Sequence, residues 1–357
     1  MDKHRDRVIL LCPEFFEVRL NGIGRVAQAI RDSLSATGRK VVIWSANDPK
    51  TAETEGSDRA YGRRYLGMML DATLRPRHRI ALIACLHLGL SPVARMLAWR
   101  SSCPYFVFLH GIEAWRPLRK RSAWGLRKAD LLIANSRYTL RRFHSTNPEM
   151  IQQPNSVVHL GTEVIERSAG FPRRRGQVLA VSRLTKADAY KNIRLLIEAF
   201  VLVVKELPWA RLVVVGDGDD RRCVAEFATA RLRKENCTFV GLVPDSSMKR
   251  IWSESSVFAL PSVNEGFGLV FAEAMAYGLP CICSDLDAVR EVIVDGATGF
   301  AITTANPQPL AEAICRLLAD DTLRERMGEA GRTHCLSNFT AAQFSERLLV
   351  SMRGIGI

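Results

Sequence analysis

Along this chain, short apolar runs alternate with longer segments whose apolar residues recur every three or four positions. The runs "RVILLC" (7–12), "KVVIWSA" (40–46), "IALIACL" (80–86), "YFVFLH" (105–110), "LLIANS" (131–136) and "SVVHLG" (156–161) read as strands. They show little polar alternation, which predicts burial on both faces. Helices are expected between them, for example over Gly24–Thr37 and Ala123–Ala129. A second series follows: "VLAVSRL" (178–184), "RLVVVGDG" (211–218), "CTFVGLV" (237–243), "VFALPS" (257–262) and "PCICSD" (280–285). Its helices are expected to include Asn192–Glu206 and Val270–Tyr277. Strands alternating with helices predict parallel sheets, and two such series predict two doubly wound α/β domains. The junction is expected in "RSAGFPRRRGQ" (167–177), where Gly, Pro and arginines break the pattern. The domains then run over 1–168 and 169–338, and residues 339–357 carry a closing helix from about Ala341 to Met352.

A length of 357 residues, 47% of them hydrophobic and 24% charged, suits two globular domains and excludes a disordered or collagen-like chain. The start "MDKHRDRVILLCPE" has only a short apolar run before Pro13, so no secretory signal is expected. The most apolar stretch, Ile80–Leu90, is shorter than the roughly 18 residues of a spanning helix and contains His87. Nine scattered cysteines, of which only Cys281 and Cys283 are close, suggest buried reduced thiols and a cytosolic setting.

Charge separates the two halves. Residues 1–170 hold 27 Lys and Arg against 15 Asp and Glu, a balance of +12, while residues 171–357 hold 23 against 22. The densest stretch, Arg116–Arg142, has nine basic residues and one acid, Asp130, accompanied by Trp115, Trp124 and Tyr138. No nucleic-acid-binding motif accompanies it, so an anionic membrane surface is the expected partner.

In open α/β sheets, ligands lie beyond the carboxyl ends of the strands, so the residues just after each strand matter most. After "VFALPS", the segment "VNEGFGLVFAEAMAYG" sets Gly266 and Gly268 at the mouth of a helix, with Glu265 and Glu273 eight positions apart. A helix N-terminus offers unpaired N–H groups to an anion, and glycine lets that anion approach the backbone. The two glutamates can then bond hydroxyls on either side, as in a sugar–diphosphate–ribose ligand. Arg183 follows one strand end and Lys191 opens the next helix, and both supply cations for the phosphates. "VVVGDGDD" places Gly216 and Gly218 after another strand, a weak G-x-G signal or simply a tight turn. "NGIGRVA" reads as a Gly-rich loop, with Gly22 and Gly24 feeding a helix. His110, immediately after "YFVFL", is the best-placed histidine for bonding a substrate hydroxyl or for acid–base work.

Taken together, "PSVNEGFGLVFAEAMAYGLPCICSD", "NGIGRVAQAI", "HGIEAW", "ANSRYT", "SRLTKADAYKNIRLLIEAF", "GDGDD" and "FVGLV" resemble a family 4 glycosyltransferase of the GT-B fold, with Glu265 and Glu273 as its E-x7-E signature. The resemblance implies two Rossmann-like domains facing across a cleft, with the closing helix crossing back to the first. It implies a nucleotide-diphospho-sugar donor, GDP- or UDP-linked, held mainly by the second domain. Arg183 and Lys191 hold the diphosphate with the backbone at Phe267–Leu269, and Gly216 lies nearby. Glu273 takes the ribose, Glu265 the sugar hydroxyls, and Leu242 and Val243 the base. His110, Gly22 and Gly24 contact the transferred sugar or phosphate. Retention of anomeric configuration, no metal and no cofactor are implied as well. Many members carry the lysine in a K-G pair. Here it is "AYKN", with Asn192 in place of glycine and Lys186 nearby, and Lys191 is the expected phosphate ligand.

The expected activity is hexosyl transfer, mannose favoured, to a lipid-linked or polysaccharide-precursor acceptor at the inner face of the plasma membrane. An NAD-dependent oxidoreductase needs a G-x-G-x-x-G directly after a strand, and none stands there. A non-catalytic sugar-binding module remains the other alternative.

Overall fold

The computed structural model describes residues 6–16, 22–49, 58–74, 80–165 and 173–356. Of the expected junction, residues 167–172 lie outside the described residues, as does Asn21 of the Gly-rich segment. The chain divides into two compact units, Met1–Leu160 with Ala341–Ile357, and Gly161–Thr340.

The first unit is built on seven strands: β1 (Arg7–Cys12), β2 (Lys40–Ser45), β3 (Arg59–Ala60), β4 (Ile80–Cys85), β5 (Tyr105–Leu109), β6 (Leu131–Ala134) and β7 (Asn155–Val157). They pair in parallel in the order β3-β2-β1-β4-β5-β6-β7. β1 is central, Leu10 standing between Ile43 and Ala84, and Val8, Leu10 and Leu11 are fully buried. The helix Gly22–Ser35 buries Val26, Ala27, Ile30 and Leu34, a stripe at helical spacing. The closing helix Ala341–Met352 packs on it and buries Phe344, Leu348 and Met352 at intervals of four. Its Ser351 hydroxyl meets that of Ser156, in β7, at 2.9 Å. The end of the chain is thereby part of the first unit.

The second unit has β8 (Gln177–Val181), β9 (Arg211–Val215), β10 (Cys237–Gly241), β11 (Val257–Leu260), β12 (Cys281–Ser284) and β13 (Gly299–Ile302), in the order β10-β9-β8-β11-β12-β13, all parallel. Both sheets reverse their winding direction once, between β1 and β4 and between β8 and β11, and crevices at such points are where α/β sheets take ligands.

The reading of every strand as buried on both faces needs correction. β7 has no buried residue, and β10, at the edge of its sheet, alternates exposed and partly buried positions up to buried Gly241. Edge strands have one neighbour and one covered flank, so continuous burial is not available to them. β3 and β13 carry no strand signature in the sequence. β3 is two residues long, and β13 begins at Gly299, where a Cβ would stand 1.9 Å from the Cys281 carbonyl oxygen. All nine cysteines are thiols outside any disulfide, but Cys223 is exposed and Cys237 and Cys315 are only partly covered, so the expected burial fails for these three.

Candidate functional site

In the second unit, the expected residues follow four neighbouring strands at their carboxyl ends. Leu242 and Val243 come after β10, Gly216 after β9, Arg183 after β8, and Glu265 to Leu269 after β11. Asp287, after β12, was not singled out by the sequence.

The centre of the arrangement is an ion pair. Lys191 Nζ lies 2.5 Å from Glu265 Oε1, and both side chains are largely withdrawn from solvent. Burial alone pulls the lysine pKa down, but the adjoining Glu265 carboxylate and the Tyr190 hydroxyl outweigh it, and the net direction is up. Lys191 is therefore a fixed cation. Its position is set by the backbone: Val263 N–H donates to the Tyr190 carbonyl (2.9 Å), and Asn192 Nδ2 donates to the Pro261 carbonyl (3.0 Å). These bonds fasten the lysine-bearing turn to the loop after β11.

Lys191 does not open the helix, as the sequence suggested; it ends a 3-10 turn, Lys186–Lys191. The helix starts at Ile193, and Asn192 between them is left-handed, φ 55° and ψ 36°. Glycine adopts that conformation freely and Asn tolerates it better than most residues. Asn192 thus gives the chain the same reversal that glycine gives in a K-G pair, and its side chain adds the bond to Pro261.

Arg183 is held separately. Its guanidinium pairs with Asp188 Oδ1 at 2.7 Å while the side chain stays 59% exposed. Asp188 is buried, its other oxygen accepts from the Thr185 hydroxyl (2.6 Å), and Thr185 in turn caps the 3-10 turn at the Asp188 N–H. The signal for this unit was the Thr-x-x-Asp of "TKAD", a capping-box spacing. Lys186 is exposed, and its backbone N–H binds Asp219 Oδ1 (2.9 Å).

The glycines divide into two kinds. Gly216 (φ 137°) lies so close to its neighbour that a Cβ would stand 1.8 Å from the Ser182 carbonyl oxygen. Its first duty is to let the ends of β8 and β9 meet, where Ser182 N–H also donates to Val215 O (3.0 Å). Gly268 (φ 87°) forms the N-cap of the helix Leu269–Ala276 and, as a glycine, brings no side chain of its own to cap it. Gly266 and Phe267 precede it; Phe267 is buried, its ring edge-on to Phe339 at 5.7 Å. Glu273 lies one turn inside the helix and is half-buried.

Asp287 fixes the mouth of that helix. Its Oδ2 accepts from Glu265 N–H (2.7 Å) and its Oδ1 from Val289 N–H (3.1 Å). Burial raises its carboxyl to about 6 from 3.8, opposed by those two N–H groups and by Lys191. A raised carboxyl contributes stability that is present below pH 3.8 and lost as pH rises through about 6. Asp287→Ala is expected to destabilise by more at pH 4 than at pH 7, the difference being at most about 3 kcal/mol for a two-unit shift. Thermal unfolding of both proteins across this range measures it, and a difference of opposite sign refutes the assignment.

In the first unit, His110 follows β5 and is held on three sides. Its N–H donates to Glu113 Oε1 (2.6 Å), its carbonyl accepts from Asn135 Nδ2 (2.6 Å), and its ring Nε2 lies 2.9 Å from the Leu86 carbonyl. A carbonyl only accepts, so Nε2 carries the proton and Nδ1 keeps its lone pair in the neutral ring. Burial lowers the imidazole pKa, against the pull of Glu113, so the neutral form prevails near pH 7. Such a ring accepts a hydrogen bond from a hydroxyl; it is not a ready acid. His87, at the end of β4, is likewise lowered by burial, and its Nδ1 accepts from Gly89 N–H (3.0 Å).

Gly22 and Gly24 are not in a loop: the helix begins at Gly22 and both sit in its first turn. A Cβ on Gly22 would meet nothing within 4 Å, so packing does not require glycine there. The second unit therefore brings together Lys191 and Glu265, with Asp287 behind them. Arg183 is tied to its own turn, and His110, Gly22 and Gly24 belong to the first unit.

Residues 162–334 match the family model for glycosyl transferases group 1, and residues 20–164 match that for glycosyltransferase family 4. A phosphatidyl-myo-inositol mannosyltransferase of Mycobacterium leprae is 32% identical over 184 residues, 51% of this chain and 48% of that protein. The chain thus spans about half the length of this relative. A GDP-mannose-dependent monoacylated alpha-(1-6)-phosphatidylinositol monomannoside mannosyltransferase of Corynebacterium glutamicum is 28% identical, over 67% of each chain. Among solved structures, Anabaena Alr3699/HepE in complex with UDP and glucose superimposes with a TM-score of 0.79 at 18% identity, covering 98% of this chain and all of that one. Sucrose-phosphate synthase from Thermosynechococcus elongatus also gives 0.79, at 19% identity, covering 98% of each. Two family models that between them span residues 20–334, on a fold shared with solved glycosyltransferases, establish that the chain belongs to glycosyltransferase family 4 and has the GT-B fold.

Proposed function

We propose that this protein is a retaining glycosyltransferase that moves a hexosyl group, mannose favoured, from a nucleotide-diphospho-sugar to a lipid-linked or polysaccharide-precursor acceptor. The observation that carries the reading is the Lys191–Glu265 pair, set beside the glycine N-cap of Leu269–Ala276 at the β8/β11 reversal. The fixed Lys191 ammonium and the exposed Arg183 guanidinium neutralise the charge that develops on a leaving diphosphate, helped by the backbone of Phe267–Leu269. Glu265 then takes the hydroxyls of the transferred sugar, Glu273 those of the ribose, and Leu242 and Val243 border the base. Strands stand about 4.8 Å apart, so β10 to β11 spans about 14 Å, room for an extended ligand laid along the sheet edge. In the first unit, His110 accepts from a sugar hydroxyl through Nδ1, and Gly22 and Gly24 allow close approach.

The activities of the named relatives favour mannose and a phosphatidylinositol-type acceptor, while a solved structure of the same fold holds UDP. We take retention from the family. We also propose a metal-free mechanism, in which the protein's own cations neutralise the leaving diphosphate. The three aspartates of "DGDD" have local uses: Asp217 accepts from Gly218 N–H, Asp219 from Lys186 N–H, and Asp220 faces Arg194 at 3.3 Å. We further assign the basic stretch Arg116–Arg142 to an anionic membrane surface. Among the described residues, no helix is long and apolar enough to cross a membrane.

Thermal unfolding with GDP, UDP, ADP and their sugars, in EDTA, tests the donor site. At 100 times its Kd, the right nucleotide stabilises by about 2.7 kcal/mol, a rise of a few degrees. No rise with any nucleotide sinks the donor site, and a rise that appears only with added Mg²⁺ or Mn²⁺ overturns the metal-free reading.

A further inference from the structure

The helix Tyr65–Leu74, "YLGMMLDATL", is apolar on two opposite faces. Met68 and Ala72 are fully buried against the core of the first unit. Leu66, Leu70 and Leu74 recur every four residues on the other side and are 79%, 57% and 75% exposed. A helix apolar all round belongs in an apolar surrounding, and three leucines in line facing water need a partner. The neighbouring helix Ser91–Ser101 packs beside it and exposes Trp99 to 74%. Lys120–Leu126 packs beside that one and exposes Trp124, with the Arg95 guanidinium over its ring at 4.1 Å.

Cations accompany this apolar strip on the same three helices and just before the first of them. Arg63, Arg64, Arg100, Lys120 and Arg121 are exposed. We propose that the outer faces of these three helices form a surface that dips into an anionic bilayer, the leucines entering the acyl boundary, the tryptophans sitting at the headgroups and the cations meeting the phosphates. This surface goes beyond the basic stretch assigned above, because it adds insertion to electrostatic attraction and uses residues outside that stretch. Charge decides between occupants. A second copy docked on the same face would bring these cations against their own counterparts, within a segment already carrying +12 over residues 1–170. An anionic lipid surface opposes them with the right sign. Apolar burial and charge together give stable attachment where either alone is marginal.

The full chain is mixed with vesicles of phosphatidylcholine containing phosphatidylglycerol. Leu66→Ser, Leu70→Ser and Leu74→Ser combined are expected to weaken vesicle binding on the order of 10²-fold, since each buried leucine contributes a several-fold factor or more. Circular dichroism and thermal unfolding check that this variant is folded. Independently, brominated acyl chains are expected to quench part of the wild-type tryptophan emission, and Trp99→Phe to remove most of that quenching. Wild-type affinity in the folded triple-serine variant overturns the proposal, as does quenching that ignores Trp99. So does a wild-type dimer in solution that the triple-serine change disperses, which would give the face to a second copy. None of these readouts uses a nucleotide, so their failure is separate from failure of the donor site.

Discussion

Arg183→Ala and Lys191→Ala each lower glycosyl transfer on the order of 10²–10³-fold, the range typical of removing one preorganised contact to developing charge. The two losses should differ in character. Arg183 is largely exposed and tied only to Asp188, so its alanine variant is expected to keep its melting temperature and lose turnover. Lys191→Ala leaves Glu265 buried beside a missing partner, and breaking a buried pair costs about 3–5 kcal/mol. Lys186→Ala serves as the comparison. Its side chain is exposed and its structural bond is made through the backbone, so turnover should change less than a few-fold. Steady-state rates with a synthetic acceptor decide the matter. Near-normal turnover in folded Arg183→Ala and Lys191→Ala removes the diphosphate assignment, and a larger loss at Lys186 moves it to that residue.

The sheets were legible in the sequence because parallel strands covered on both faces leave unbroken apolar runs. β1 is bounded as expected at Arg7–Cys12, and the closing helix at Ala341–Met352. Where a strand has only one neighbour, that signal fades, which is why β3 and β13 were missed and β10 was overstated. The position of Lys191 and Glu265 at strand ends could be read from spacing, but their pairing could not: 74 residues separate them, and only the folded sheet makes β8 and β11 neighbours. Asp287 escaped notice because its work is done on the backbone of Glu265 in another loop. Gly216 and Gly22 look alike in sequence yet differ in cause, one forced by a carbonyl at van der Waals distance or less, the other free of any packing demand. The Leu66–Leu74 stripe was hidden for a related reason. Its two apolar faces cancel the periodicity that marks a half-buried helix, and only exposure distinguishes them.

Charge reversal at Arg119, Lys120 and Arg121 to Glu is expected to abolish sedimentation with anionic vesicles. All three side chains are exposed, and they lie in the stretch with the highest density of cations in the chain. Each Lys or Arg near an anionic leaflet contributes about 1 kcal/mol, so losing three weakens binding by about 10²-fold and inverting them by more. The attraction is screened over about 10 Å at 0.1 M salt. Wild-type binding should therefore fall steeply as salt rises, and neutral vesicles should retain little protein. The contrasting explanation is that the positive surface attracts only an anionic soluble acceptor. That predicts no sedimentation with acceptor-free vesicles, whatever their charge. Since these residues lie outside Gly161–Thr340, nucleotide-induced stabilisation in the reversed variant should match the wild type. If the wild type ignores anionic vesicles at low salt, the electrostatic attachment is refuted, whereas binding that survives the triple reversal unchanged assigns attachment to other residues.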